Sequence, residues 1–480
     1  MFVLNVINII AIIVLNIISL KNIYKSAIFF SLIIFIYTIG IIGDLHPTIL
    51  NFSNAYIGKI NPLDIGLEFS IAIDGISLIF IILTTLLNIV CVLAGKTIKY
   101  RKRLFFTLLF IIEILLINVF AVTEIIYFYI FFEGVLIPMF LLIGIYGSRQ
   151  EKIAASYNFF IYTLAGSLFM LIGILFIMQQ TSTTNILLLK SYEMSANIEI
   201  ILWLAFSASF AVKIPLFPFH LWLPKAHVES PTAGSVLLAG ILLKLGSYGF
   251  LRFSLFLFPI GTEFFRPFII TLAIIGIIYS SFTILRQIDL KRIIAYSSIS
   301  HMGFVILGTF GGTFISLNGA VLLMIAHGLV SGGLFLAVGF LYDRYKSRNL
   351  LYYRGLINIM PIYGIIFFIL ILGNIGFPPT LNFISEFLIL SGIMEFNTFS
   401  AFLSGFGIFF AGISGFWVFT RIFYGNFSIT NGEYNILFFY DLNRRELYSL
   451  IPILFLTIFL GFQPNYILNL IYFNISAWGY

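Results

Sequence analysis

Six ionisable side chains in this sequence sit inside long apolar runs, and their types suit one chemistry, the passing of a proton. Glu133 lies in IIYFYIFFEGVLIPMFLLIG, Lys213 in LAFSASFAVKIPLF and Lys244 in GSVLLAGILLKLGSYGF. His301 follows YSSIS, His327 stands in LLMIAHGLVSGGLF, and Glu386 follows a proline pair in GFPPTLNFISEFLIL. A charge at the centre of a membrane helix costs roughly 2.5–3.5 kcal/mol on insertion scales, so a series of them needs partners, water or a function. A lysine beside a carboxylate gives up or takes a proton as that carboxylate leaves or returns. Histidine titrates near neutral pH and can continue such a path.

Each residue also has a plainer reading. Glu133 and Lys213 can be an ion pair that only pins two helices. Lys244 can snorkel to the interface, the two histidines can be hydrogen-bonded structural groups, and Glu386 can cap a helix or bond its neighbour. Pro215, Pro218 and Pro224 weigh against the first, because backbone groups freed at membrane depth line a wet cavity. The depth of Lys244, about 12 residues from either end of its run, weighs against snorkelling. Ser297, Ser298, Ser300 and Ser331 stand near His301 and His327 and can hold ordered water. His220 and His227 flank the proline-rich stretch, where they either admit protons or cap a broken helix. Glu229, beside Pro231, is expected to cap the next span, Glu124 to meet solvent near a membrane boundary, and Glu113 has no assigned role. His46 falls in an outer loop and is assigned nothing.

Such groups need helices to place them, and the composition supplies helices. Hydrophobic residues make up 61% of 480 positions and charged residues 9%, with a mean hydropathy of +1.09. Runs long enough to cross a hydrocarbon layer recur throughout, without the alternation of a membrane barrel. The fold class is an all-α polytopic membrane protein of about 14 transmembrane helices. The spans fall near 2–20, 26–43, 75–95, 104–122, 124–146, 153–178, 199–219, 230–255, 267–285, 293–312, 317–341, 357–392, 400–421 and 448–472. The twelfth is too long for one crossing and contains Pro378-Pro379, so it is expected to be broken, as is the seventh. Spans four to eight and nine to thirteen form two sets of five in opposite directions, each with one broken helix, which suggests two inverted five-helix repeats. The chain then divides into an N-terminal three-helix segment (1–103), a first repeat (104–255), a second repeat (256–425) and a loop with the last helix (426–480).

Charge supports this order of spans. About 20 of the 26 Lys and Arg fall in alternate loops, as the positive-inside rule requires. Asp44, Asp64, Glu68, Glu193, Glu199 and Glu263 fall on the other side, where both termini are expected. The net charge of +7 is therefore an orientation signal and not a nucleic-acid footprint. The opening MFVLNVINIIAIIVLNIISLKN reads as a retained first span rather than a leader. One cysteine, Cys91, leaves no internal disulfide, CxxC motif or cysteine-held iron–sulfur cluster. HExxH, Walker A and GxGxxG motifs are absent from the sequence.

FFEGVLIPMF (131–140), FAVKIPLFPFHLWLPKAHVESPTAGSVLLAGILLKLGSYG (210–249), KRIIAYSSISHMGFV (291–305) and AHGLVSGGLF (326–335) resemble the antiporter-like subunits of respiratory NADH:quinone oxidoreductase. The resemblance runs from about residue 70 to 425, and the forty-residue stretch is its most specific part. Glu386 stands where two branches of that family usually carry lysine, and the chain stops before the long lateral helix of one of them. Lys225 stands where many relatives have an acid, which leaves the route of proton admission open. The resemblance implies that Glu133 and Lys213 form a modulating pair, that Lys244 is the central carrier, and that His301, His327 and Glu386 extend the axis. It further implies that this chain holds no cofactor, while NADH, FMN, iron–sulfur clusters and ubiquinone belong to other subunits. Implied partners are the other membrane subunits, including the chain 2-type and chain 5-type antiporter-like ones, and lipid. The missing presequence and an AT-rich style of composition point to the mitochondrial inner membrane, with a bacterial plasma membrane as the alternative. The competing function is a subunit of a multisubunit sodium/proton antiporter. A membrane scaffold whose charges only hold helices together, and a small-solute carrier, are further alternatives.

Overall fold

The computed structural model describes residues 1–44, 69–192, 194–425 and 440–476. His46, Asp64, Glu68 and Glu193 lie outside the described residues, so their expected sidedness is not addressed. Helices dominate the described residues, with three isolated β-bridges and no strand. Two apolar hairpin helices, α1 (Phe2–Ile17) and α2 (Ile23–Asp44), lead to α3 (Gly75–Ala94). Asp74 starts α3 with a capping box, accepting the Ser77 N–H at 2.9 Å. The first half then runs through α4 (Lys102–Ala121), α5 (Ile125–Tyr146), α6 (Lys152–Thr181), the short α7 (Ile186–Lys190), α8 (Ala196–Lys213), α9 (Trp222–Glu229) and α10 (Thr232–Leu257). The second half follows with α11 (Pro259–Ile284), α12 (Leu290–Phe310), α13 (Phe314–Tyr345), α14 (Pro361–Ile375), α15 (Leu381–Phe396) and α16 (Thr398–Phe423). Two helices close the chain, α17 (Arg444–Phe462) and α18 (Asn465–Ser476).

Twelve helices among the described residues are long and apolar enough to cross a membrane. Of the 14 expected spans, the first is a shorter apolar helix, α1, and the twelfth is the pair α14 and α15. Both expected breaks are present. The helix ends at Lys213, two residues before Pro215, and resumes at Trp222, because proline has no N–H to donate and disfavours helix in the residue before it. After Ile375 it stops at Gly376, whose φ of +76° closes the helix, and Pro378-Pro379 prevents it from continuing.

The edges differ where partners distant in sequence decide them. Span nine was expected at 267–285 and begins at Pro259. Pro259 suits a first helical turn, and the Glu199 carboxylate of α8 accepts the Ile260 and Gly261 N–H groups at 2.5 and 3.2 Å. The last expected span, 448–472, divides at Pro464 into α17 and α18.

Two helices form the axis of the molecule. The apolar windows of α10 and α13 are buried along their whole length, while those of α2, α16 and α17 turn most of their surface outward. This is the order expected in a bilayer: ionisable residues on inner helices, apolar surface toward lipid. Loops predicted to share the basic side do meet, since residues of 97–101, 145–152, 230–232 and 342–348 line one cavity.

Candidate functional site

In α5, Pro138 cannot donate to the carbonyl of Gly134, and the regular helix is interrupted at Val135, two residues after Glu133. Lys213 ends α8 and reaches this interruption. Its Nζ lies 3.5 Å from Glu133 Oε1, donates to the Phe132 carbonyl at 2.7 Å, and sits 3.2 Å from the centroid of the Phe132 ring. Neither Glu133 oxygen has a hydrogen-bond partner among the described residues. The lysine therefore has three attachments and the carboxylate one.

Lys244 belongs to α10, which packs directly on α8, with Phe250 of one against Phe210 of the other. Its side chain is wholly buried. Just before it, residues 238–242 form a π-turn, and the ammonium donates to the Ala239 carbonyl inside that turn. The same Nζ is 2.7 Å from His327 Nδ1. This contact depends on a close crossing: a Cβ at Gly328, next to His327, would meet the Gly240 carbonyl at 2.9 Å. Two glycines thus let α10 and α13 approach closely enough for lysine to touch imidazole.

From His327 the groups continue into the second half. The His327 and His301 rings are 5.6 Å apart between centroids, a gap that one water can bridge. His301 Nδ1 is 3.1 Å from Glu386 Oε1, and its Nε2 is 3.2 Å from Asn374 Oδ1. Glu386 lies in α15 just past the break, and a Cβ at Gly376 would come within 2.5 Å of its Oε2. The break, the glycine and the carboxylate form one unit.

The structure places the six predicted residues in two groups. Four of them, Lys244, His327, His301 and Glu386, follow one another in contact or across that single gap. Glu133 and Lys213 form a separate pair on the neighbouring helices. Asn374 was not anticipated; its signal was an amide in the apolar run LILGNIGFPP, directly before the break. Among the serines, Ser297 and Ser298 donate to the Ile294 carbonyl and Ser331 to that of His327. The Ser297 hydroxyl also approaches the site, 3.5 Å from Asn374 Oδ1.

Two expectations outside the axis require correction. Glu124 is not solvated: it is buried and accepts hydrogen bonds from Ser70, Thr184 and Asn185 at 3.1, 2.5 and 3.0 Å. Glu229 does not cap α10, whose first residue follows Pro231 without a side-chain cap; it faces Arg348 at 3.8 Å. His220 and His227 are both buried beside the break, the His227 ring stacked on Phe335 and the His220 ring on Phe217. Glu113, left unassigned, accepts from Asn88 Nδ2 of α3 at 2.5 Å.

Residues 122–414 match the family model described as NADH:quinone oxidoreductase/Mrp antiporter, TM. NADH-ubiquinone oxidoreductase chain 4 of Chondrus crispus is 51% identical over 410 residues, 85% of this chain and 82% of the relative. The protein of the same name from Marchantia polymorpha is 51% identical over 412 residues, covering 86% and 82%. That from Acanthamoeba castellanii is 45% identical over 458 residues, covering 94% and 91%. Among solved structures, a chain of respiratory complex I from Thermus thermophilus with bound NADH is similar at a TM-score of 0.88 and 26% identity, over 99% of this chain and 98% of that one. A chain of the Mrp complex from Dietzia sp. DQ12-45-1b is similar at a TM-score of 0.85 and 18% identity, over 97% and 95%. That second likeness is one of fold alone.

Proposed function

Since the chain belongs to the NADH:quinone oxidoreductase/Mrp antiporter membrane family, we propose that it is the chain 4-type, proton-translocating core membrane subunit of NADH:ubiquinone oxidoreductase. It is a multi-pass protein of the mitochondrial inner membrane. The observation that carries this reading is the buried sequence of exchangeable groups from Lys244 through His327 and His301 to Glu386.

Each group has a role that follows from its surroundings. Glu133 modulates Lys213: with the carboxylate near, the ammonium is favoured, and with it withdrawn, Lys213 yields its proton toward α10. Lys244 is the central carrier, exchanging a proton between Nζ and His327 Nδ1. Each imidazole can take a proton at one nitrogen and release it at the other. Glu386 is the terminal carboxylate, coupled to His301 Nδ1. In this reading, 104–255 and 256–425 are inverted repeats, supported by the proline-bearing break in each; 1–103 and 426–480 flank them.

The redox chemistry belongs elsewhere in the complex. Among the described residues no three His, Cys, Asp or Glu gather as they would to hold a metal ion, and the one cysteine is buried with its thiol against the Ala233 carbonyl. NADH, FMN, the iron–sulfur clusters and ubiquinone are held by other subunits. Their energy reaches this chain as a displacement or a field at its flank. The chain 2-type and chain 5-type antiporter-like subunits are the expected neighbours in the membrane.

The second reading, a sodium/proton antiporter subunit, rests on the shared fold. Gentle purification of the protein from its membrane separates the two. Association with flavin and iron–sulfur subunits and NADH-driven proton uptake are expected. Isolation without them, with sodium-driven proton exchange, would contradict the assignment.

A further inference from the structure

We propose that Asn374 is a latch on His301: it closes the step from His327 to Glu386 while it holds the imidazole, and opens it when the amide turns away. This rests on the reading of Lys244, His327, His301 and Glu386 as a proton path. Along that row the two histidines are engaged differently. His327 is bound on one side, its Nδ1 2.7 Å from Lys244 Nζ, and its Nε2 has no hydrogen-bond partner among the described residues. His301 is bound on both sides, with Nδ1 3.1 Å from Glu386 Oε1 and Nε2 3.2 Å from Asn374 Oδ1.

A relay through an imidazole needs one nitrogen to receive a proton and the other to release one. In His301 the releasing nitrogen is Nδ1, which faces Glu386, so receiving falls to Nε2. That nitrogen is occupied. An amide meets an imidazole nitrogen with either its oxygen or its NH₂ group, and both contacts use the proton or lone pair that exchange with His327 requires. The path is therefore interrupted between two rings whose centroids are 5.6 Å apart. Once the amide leaves, one bridging water joins them. His327 gives its Nε2 proton through that water to His301 Nε2, His301 gives its Nδ1 proton to Glu386 Oε1, and Lys244 supplies a proton to His327 Nδ1. The sum is one proton moved from Lys244 to Glu386, with both imidazoles left neutral in the other tautomer.

The surroundings of Asn374 let it open. It stands in the last turn of α14, two residues before Gly376, where the helix stops. Besides His301, its Oδ1 has the Ser297 hydroxyl at 3.5 Å, a long contact from a group that already donates to the Ile294 carbonyl at 2.9 Å. A cavity of about 20 Å³ adjoins it, with Ser297, Asn374 and Ser414 as its polar lining. One water needs about 10–15 Å³, so the space is sufficient. An amide turned into it exchanges the imidazole for water or for the Ser414 hydroxyl. A polar side chain in the apolar run LILGNIGFPP carries a desolvation cost. A residue that only filled the space before the break would avoid that cost as leucine.

The test uses the assembled complex in sealed vesicles, first with an imposed pH gradient and no NADH. Asn374→Leu keeps the bulk and removes the amide. Proton leak per assembled complex is expected to rise roughly tenfold, the factor by which losing one hydrogen bond of about 1.4 kcal/mol shifts the open-to-latched ratio. In the double variant Asn374→Leu/Lys244→Met the leak is expected to return to the parental rate, since its path runs through Lys244. A parental leak in Asn374→Leu overturns the latch and leaves Asn374 a brace for α14. A raised leak that persists in the double variant overturns it too, because those protons pass elsewhere. Asn374→Asp keeps the size and binds Nε2–H more tightly, so NADH-driven uptake is expected to fall roughly tenfold without added leak. Normal uptake in Asn374→Asp overturns the latch. Lys244→Met alone tells the latch from the path: normal uptake there removes the path on which the latch acts, while lost uptake with a parental leak in Asn374→Leu removes the latch alone.

Discussion

Two carboxylates, one in each half of the molecule, meet their basic partners in different ways. Glu133 touches Lys213 at 3.5 Å and has no other hydrogen-bond partner among the described residues. Its own helix is interrupted at Val135, and Lys213 is held independently by the Phe132 carbonyl and ring. Glu386 is enclosed: His301 binds one oxygen, Gly376 of the helix break abuts the other, and Asn374 holds the far side of the imidazole. The first carboxylate can move away without disturbing anything but the pair. The second cannot move unless the break between α14 and α15 moves with it. A loose ion pair suits a switch, and an enclosed one suits a fixed terminus that responds to a conformational change.

Breaking this comparison takes one substitution on each side. Glu133→Gln keeps size and removes charge, and should lower NADH-driven proton uptake about a hundredfold in an assembled complex, within the range for lost acid–base function. Glu386→Gln should lower it by a smaller factor, since His301, itself held by Asn374, still binds the side chain and only the terminal exchange is impaired. If uptake in vesicles shows the opposite order, the assignment of switch and terminus is reversed. Gly376→Ala sharpens the comparison without touching a charge. A left-handed alanine costs about 1–2 kcal/mol, and its Cβ intrudes on Glu386, so a loss of a few-fold is expected, with a matching drop in thermal stability. Loss of stability without loss of uptake would separate the break from the carboxylate. Ser297→Ala should change uptake less than about twofold, because its hydroxyl is already committed to the Ile294 carbonyl. A larger effect would mean that the 3.5 Å approach to Asn374 matters.

The same contrast explains what the residues alone could reveal. Glu133, Lys213, Lys244, His301, His327 and Glu386 were legible because a charge or imidazole in an apolar run is costly and therefore conspicuous. Both helix breaks were legible because proline acts through its own backbone. The π-turn at 238–242 was not: LLAGILLKL carries no proline, and the turn forms where α10 meets its neighbours. Asn374 and Glu124 were missed or misplaced for a related reason. An amide or carboxylate near a helix end reads as a cap or a solvated group, and only the fold brings His301 to Asn374, or Ser70 and Asn185 to Glu124.

Everything turns on whether Lys244 carries the proton. Lys244→Met removes the exchangeable group from a site where a neutral side chain of similar length fits. NADH-driven acidification should then be lost from vesicles holding the mutant complex, while subunit content and electron delivery to ferricyanide persist. Acidification at the parental proton-to-electron ratio would contradict a path through this lysine.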